Sequence, residues 1–252
     1  MPANPRIEAN TPFTADISLP PPYTLVRLRE AGDAFAHAQH IAPKMGAGTL
    51  VYVGRFDLAE FAVVLEPEEP LSTARRAFYA GMAALAEALI ALAPPEKPMD
   101  IVWPDMLRLD VGLVGGGRLA WPARAKEDEV PPWLVFGAAI RTVSLADEPG
   151  LTPLSTALEQ EGFSDTAGSQ LVESFARHFM TINDSWQEYG FGAVAKSYLP
   201  RLRPESGVRR EIDENGDLLA RRAGKSAVER RSLAAALKKP SWLDERTGGP
   251  RR

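Results

Sequence analysis

Residues 99–121, MDIVWPDMLRLDVGLVGGGRLAW, alternate short apolar runs with proline, aspartate and glycine. Runs this short, rich in Ile, Val, Leu and Trp and bounded by such breakers, predict strands rather than helices. Strands are expected over 101–103, 107–113 and 118–121. The last two should be joined by a turn at Gly115-Gly116-Gly117, because glycine takes up the positive φ of a tight turn at little steric cost. A further strand over 134–143 is expected in the stretch WLVFGAAIRTV, residues 133–143.

Before this block, YTLVRL (23–28), GTLVYVG (48–54) and EFAVVL (60–65) have the β-branched and aromatic content of strands. A helix is expected over 32–41, stopping ahead of Pro43. A longer one is expected over 71–92, where Ala77, Met82, Leu85, Leu89 and Leu92 recur at helical spacing until Pro94-Pro95. Further helices are expected over 154–161 and 168–189. Strands alternating irregularly with a few helices predict an α+β architecture, a mixed sheet with helices packed on one face. Asn215-Gly216, between two strand-like runs, predicts a type I′ hairpin near 207–222. The chain thus divides into an extended, proline-rich tail (1–22), a main domain (23–198) and a small C-terminal module (199–252). The module ends in a polar tail whose SWLD motif, 241–244, should dock back on the body.

The composition, with 45% hydrophobic and 25% charged residues in 252, is that of a soluble globular protein. A net charge of −4 offers no general attraction to nucleic acid or to an anionic membrane. The absence of cysteine excludes disulfides, thiolate metal sites and thiol nucleophiles. Residues 1–22 lack the basic and apolar regions of a signal peptide, and MAALAEALIALA is too short to span a bilayer, so a cytoplasmic location is expected. Several short motifs fail on spacing. Leu219 stands where the first glycine of a phosphate-binding loop ending in Gly224-Lys225-Ser226 would have to be. Asp213, Asn215 and Asp217 open like a calcium loop, but Gly224 falls where the bidentate glutamate belongs. His37, His40 and His178 show no third ligand, so no metal is expected.

Trp103-Pro104-Asp105 is more specific: a flat apolar ring, a rigid turn and a carboxylate in succession. The same residues would also serve a core aromatic followed by a turn-capping aspartate. Their order with the glycine run and the strand from Gly137 to Val143 resembles the biotin/lipoate protein ligase family, whose motifs read K-W-P-N-D, K-x-x-G-x-L and G-x-G-x-N. Val102 stands at the lysine of the first motif, Gly116 or Gly117 at the glycine of the second, and Gly137 opens the third. The resemblance covers roughly residues 23–222. It implies a ligase-like fold and a pocket in which Trp103, Pro104, Asp105, Gly116, Gly117 and Gly137 form the walls, with Arg55 or Arg118 at the polar end. It also implies a biotin-, lipoate- or octanoate-type acyl ligand or another small carboxylic acid, and a biotinyl/lipoyl carrier domain as partner.

Two departures bear on mechanism. The family's G-R-G-R-x-G loop wraps an adenylate with backbone N–H groups and arginines, and its K-x-x-G lysine answers the charge that develops at the α-phosphate. Here GRFDLAE (54–60) replaces the loop, with Arg55 its one cation. No lysine occurs between Lys97 and Lys126, and Leu113 or Arg118 takes the lysine position, depending on register. ATP use is therefore not expected, and the reading is a ligase-like protein whose pocket persists with altered or absent chemistry. The alternative is an active acyl ligase or transferase with other catalytic residues.

Overall fold

The computed structural model describes residues 17–145, 154–165 and 167–252. Seven strands form one mixed sheet in the order β1-β2-β3-β7-β6-β5-β4. They are β1 (Thr24–Leu28), β2 (Thr49–Gly54), β3 (Leu58–Leu65), β4 (Met99–Val102), β5 (Met106–Leu109), β6 (Gly112–Ala120) and β7 (Leu134–Arg141). Only β1 and β2 run parallel, and every other pair is antiparallel. The α+β architecture expected from the sequence is the one observed.

Both faces of the sheet are covered, which is why β3 and β7 read as nearly unbroken apolar runs. In β3, Ala59, Phe61 and Val63 enter the main core, while Ala62 and Val64 enter a second cluster on the other face. Helices α3 (Ala77–Leu92) and α4 (Ala167–Tyr189) cover the main-core face. Helix α1 (Ala34–Met45) lays Ala34, Ala38 and Ala42 on the opposite face, so the expectation of helices on one face alone is corrected. It also runs through Pro43 instead of stopping before it. Proline in the last turn removes one N–H donor, and the alanine stripe packed on the sheet outweighs that loss. The helix expected over 71–92 is broken at Arg75 and Arg76 into α2 (Leu71–Ala74) and α3.

The glycine run holds the largest departure from the sequence reading. Gly115, Gly116 and Gly117 lie inside β6, paired with Ile140, Ala139 and Ala138, and the chain reverses earlier, at Asp110-Val111. Asp110 supplies the positive φ of that reversal, 53°, which a short polar side chain tolerates. The glycines serve close approach instead: a Cβ on Gly117 would meet the Met82 sulfur at 2.6 Å and the Phe136 ring at 3.0 Å. Of residues 154–161, only Glu159–Glu161 turn as a 3-10 helix. Ser155 bridges Leu113 in parallel fashion, extending the sheet where a helix was expected.

Helix α5 (Phe191–Tyr198) leads to a second sheet of β8 (Val208–Ile212), β9 (Leu218–Arg222) and β10 (Val228–Arg231), in the order β10-β9-β8. The β8–β9 turn is not type I′: among its residues only Gly216 has positive φ, 86°, and the Asp213 carboxylate accepts from Asn215 N at 3.0 Å and Asp217 N at 2.8 Å. That local Asx network holds Asn215 in ordinary backbone space. Short helix α6 (Leu233–Ala236) follows, and Leu218, Leu233 and Leu237 join the main core. Of the proline-rich tail, Ile17 is buried and Ser18 N donates to Glu173, whereas residues 1–16 lie outside the described part. No helix among the described residues is long and apolar enough to cross a membrane.

Candidate functional site

A cis peptide joins Trp103 to Pro104, and the side chains around it diverge. Trp103 donates its indole N–H to the Tyr79 hydroxyl at 3.2 Å, which in turn donates to the Gly216 carbonyl at 2.6 Å. The Pro104 carbonyl accepts from Tyr198 at 2.8 Å. Trp103 and Pro104 thus tie the sheet to α3, α5 and the β8–β9 turn. Gly117 also faces this side, against Met82 and Phe136.

Asp105 engages the C-terminal segment, on the same side as α1. It is 2% exposed, and its carboxylate accepts from the Ser241 N–H at 2.7 Å and the Ser241 hydroxyl at 2.6 Å. Burial raises its pKa, and the Ser241 donors pull it back. Next to it, Trp242 is fully buried on Leu58, Leu113 and Ala139, with its indole N–H on the Gly117 carbonyl at 2.9 Å. A Cβ on Gly116 would overlap both the Asp105 carbonyl oxygen and that indole. Asp105 and Gly116 are therefore neighbours, as the sequence reading placed them, but Ser241 and Trp242 fill the ground they share.

Further along this face, Gly137 admits the Phe35 ring, over which the Arg118 guanidinium lies at 4.1 Å. Arg118 also approaches Asp33 at 3.4 Å, and buried Glu60 accepts from Ala34 N, at the start of α1, at 2.8 Å. Burial pushes the Glu60 carboxyl up and the Arg118 guanidinium down, since each loses hydration of its charge. The expected residues thus fall into separate groups: Trp103, Pro104 and Gly117 on one side, Asp105, Gly116, Arg118 and Gly137 on the other, and Arg55 at the sheet's end. The single pocket expected of them is not formed.

Arg55 follows β2 and is clamped by Asp57 through two hydrogen bonds of 3.0 and 2.7 Å. It borders an open cleft of about 800 Å³ between the β2–β3 turn, the end of β7 and the segment from Lys239 to Arg252. Arg141, at the end of β7, lines the cleft as well. Sequence reasoning missed Arg141, Glu60 and Ser241. In the sequence Glu60 and Arg141 stand out only as single charges in the otherwise apolar runs EFAVVL and WLVFGAAIRTV, and Ser241 only as the first residue of the SWLD motif. Among the described residues, no group of three or more His, Asp and Glu side chains stands close enough to hold a metal ion.

Residues 19–200 match the model of the biotin/lipoate A/B protein ligase family, and the chain belongs to that family. A biotin protein ligase-like protein of unknown function from Silicibacter sp. superposes with a TM-score of 0.75 at 29% identity, over 88% of this chain and 99% of that one. The biotin protein ligase of Aquifex aeolicus gives 0.64 at 14% identity, over 83% and 95%. That of Leishmania major, in complex with biotinyl-5-AMP, gives 0.53 at 15% identity, over 85% and 100%. At such identities the last two speak for the fold alone. No curated protein matches the chain.

Proposed function

We propose that this chain is a binding member of its family: it takes up a small acyl-type or carboxylic-acid ligand and does not carry out ATP-dependent ligation. The observation that carries this reading is the placement of Ser241 and Trp242 on Asp105 and Gly116. Those are two of the residues that correspond to the ligase motifs, and here side chains of the chain's own C-terminal segment cover them. The charge balance agrees. The β2–β3 connection contributes only Arg55, already neutralised by Asp57, and 98–125 contain no lysine. An adenylation transition state gathers negative charge that preorganised donors must meet; at the family's loop the one cation, Arg55, is engaged by Asp57, and at its lysine position stands Leu113 or Arg118. The residues present thus do not fit ATP in the family's manner. The ligand's entry is the open cleft beside Arg55 and Arg141, with a biotinyl/lipoyl carrier domain as the partner in keeping with the family. The test is adenylate formation from radiolabelled ATP with biotin, lipoate or octanoate. None is expected, and turnover within an order of magnitude of roughly 10 per second would overturn the proposal.

A further inference from the structure

Charge is not spread evenly along the chain. Residues 1–198 hold 25 Asp and Glu against 15 Lys and Arg, whereas 199–252 hold 8 against 14. The overall charge of −4 thus conceals an acidic body and a C-terminal module with an excess of six positive charges.

Pairing in the small sheet sorts those cations by face. Leu218 and Ala220 are buried and Ile212 packs on the main core, so the residues alternating with them point outward. On the outer face one row runs Val228, Arg221, Arg209 across β10, β9 and β8, and the next runs Arg230, Leu219, Glu211. The two rows differ in charge balance. Arg230 is held by Asp213 at 2.8 Å and Asp217 at 2.7 Å. In the first row Arg221 stands directly opposite Arg209, and among the described residues no carboxylate comes within ion-pair distance of Arg221 or of Lys225 in the turn beyond it. Arg209 reaches Glu211 at 3.1 Å, and Arg222 only approaches Glu205, at 4.0 Å. Arg209, Arg221 and Arg222 line a shallow, open groove of about 440 Å³ with Gly207, Val208 and Ala223, and no carboxylate among the described residues lines it. Like charges directly opposite each other on antiparallel strands are destabilising, so this row is held at a cost to the sheet.

We propose that this outer face docks an acidic segment of a partner protein, whose carboxylates pair with Arg209, Arg221, Arg222 and Lys225 while Val228 and Leu219 supply apolar contact beside them. Eight of the nine cations in 199–231 are arginines, and the guanidinium fork takes a carboxylate in a bidentate geometry that an ammonium lacks. Arginine beside apolar side chains is also the composition that marks protein–protein contact surfaces. A nucleic acid fits less well. The two outer rows carry no aromatic ring on which bases could stack, and a long polyanion leaving the face would run over the acidic body. None of the ligase-motif residues takes part, and the inference is independent of what enters the cleft beside Arg55.

The test is fluorescence anisotropy of labelled octaglutamate with the full chain, at about 10 mM and about 150 mM salt. Binding is expected at the lower salt and should weaken about tenfold at the higher, where exposed charges are screened beyond about 8 Å. Arg221→Glu and Lys225→Glu, separately, should each weaken binding about tenfold, whereas Arg177→Glu, on the exposed surface of α4, leaves it unchanged. Arg221→Glu also replaces a like pair by an opposite one across the strands. Its thermal midpoint should therefore stay level or rise by about 1–3 °C, which shows the fold intact. No binding of octaglutamate at low salt, or binding that both variants leave whole, overturns the proposal. An oligothymidylate of about 20 nucleotides binding more tightly than octaglutamate would make the face a nucleic-acid site. Salt-sensitive dimerisation in sedimentation velocity, abolished by Arg221→Glu, would seat a second copy of the chain there. Either result overturns it as well.

Discussion

Truncation of one side chain, Trp242→Ala, tests whether the C-terminal segment is an integral cover of the sheet. Trp242 is completely buried, and a tryptophan buries roughly 150–250 Å². At about 25 cal/mol per Å² that is roughly 4–6 kcal/mol, an upper figure because the unfolded chain also hides some surface. Measured Trp→Ala truncations in cores cost about 3–5 kcal/mol, and the lost hydrogen bond to the Gly117 carbonyl is part of that cost. The remaining hydrogen bonds of the segment to the sheet are those of Ser241 to Asp105, at 2.7 and 2.6 Å, and those of Arg141 to the Pro250 and Arg251 carbonyls, at 2.6 and 3.1 Å. They are too few to hold it by themselves, so the segment should open locally before the sheet does. Native-state hydrogen exchange read by mass spectrometry is the assay. Amides of 239–252 should exchange on the order of 100- to 1,000-fold faster in the variant, whereas those of β3 and β7 stay protected. Unchanged exchange across 239–252, or equal loss of protection in β7, would refute the reasoning.

Two further outcomes follow from the same geometry. Tyr79→Phe removes the donor to the Gly216 carbonyl (2.6 Å) and the acceptor of the Trp103 indole. It should lower the unfolding free energy by about 1–3 kcal/mol in urea titration, and no loss would mean that the bond does not secure the β8–β9 turn. Glu60 has a folded pKa above its unfolded value, chiefly through burial, so the native state holds its proton more tightly. The stability linked to that proton is present at low pH and lost as pH rises through the unfolded value toward the folded one. Glu60→Gln, which keeps an acceptor for Ala34 N, should therefore gain stability relative to the parent between pH 4 and pH 7. An identical difference at both pH values would contradict this.

The sheet was legible because period and composition agree there. GTLVYVG, EFAVVL and WLVFGAAIRTV are each β-rich, and each forms the strand they suggest. What escaped was local choice decided by distant packing. Gly115 to Gly117 look like a turn in isolation, yet Met82, Phe136 and Trp242 come so close from elsewhere that only glycine fits inside β6. Pro43 looks like a stop signal, but the packing of Ala38 and Ala42 on Val51 and Val64 carries the helix past it. At the site, the adjacency of Asp105 and Gly116 could be inferred from motif order. That Ser241 would satisfy Asp105 could not, because the partners stand 136 positions apart and neither carries a local mark of the other.

That separation orders events during synthesis. Trp242 reaches Gly117 across 125 residues, so β6 is made long before the ring that covers it. Until Trp242 leaves the ribosome, Leu58, Leu113 and Ala139 present an apolar strip to whatever surrounds the nascent chain. Contacts this remote in sequence form late, because the loop-closure entropy must be met first. For a growing polypeptide, the 239–252 segment is thus a delayed lid on its own sheet, and the interval before it closes is when a chaperone would have most reason to hold the chain.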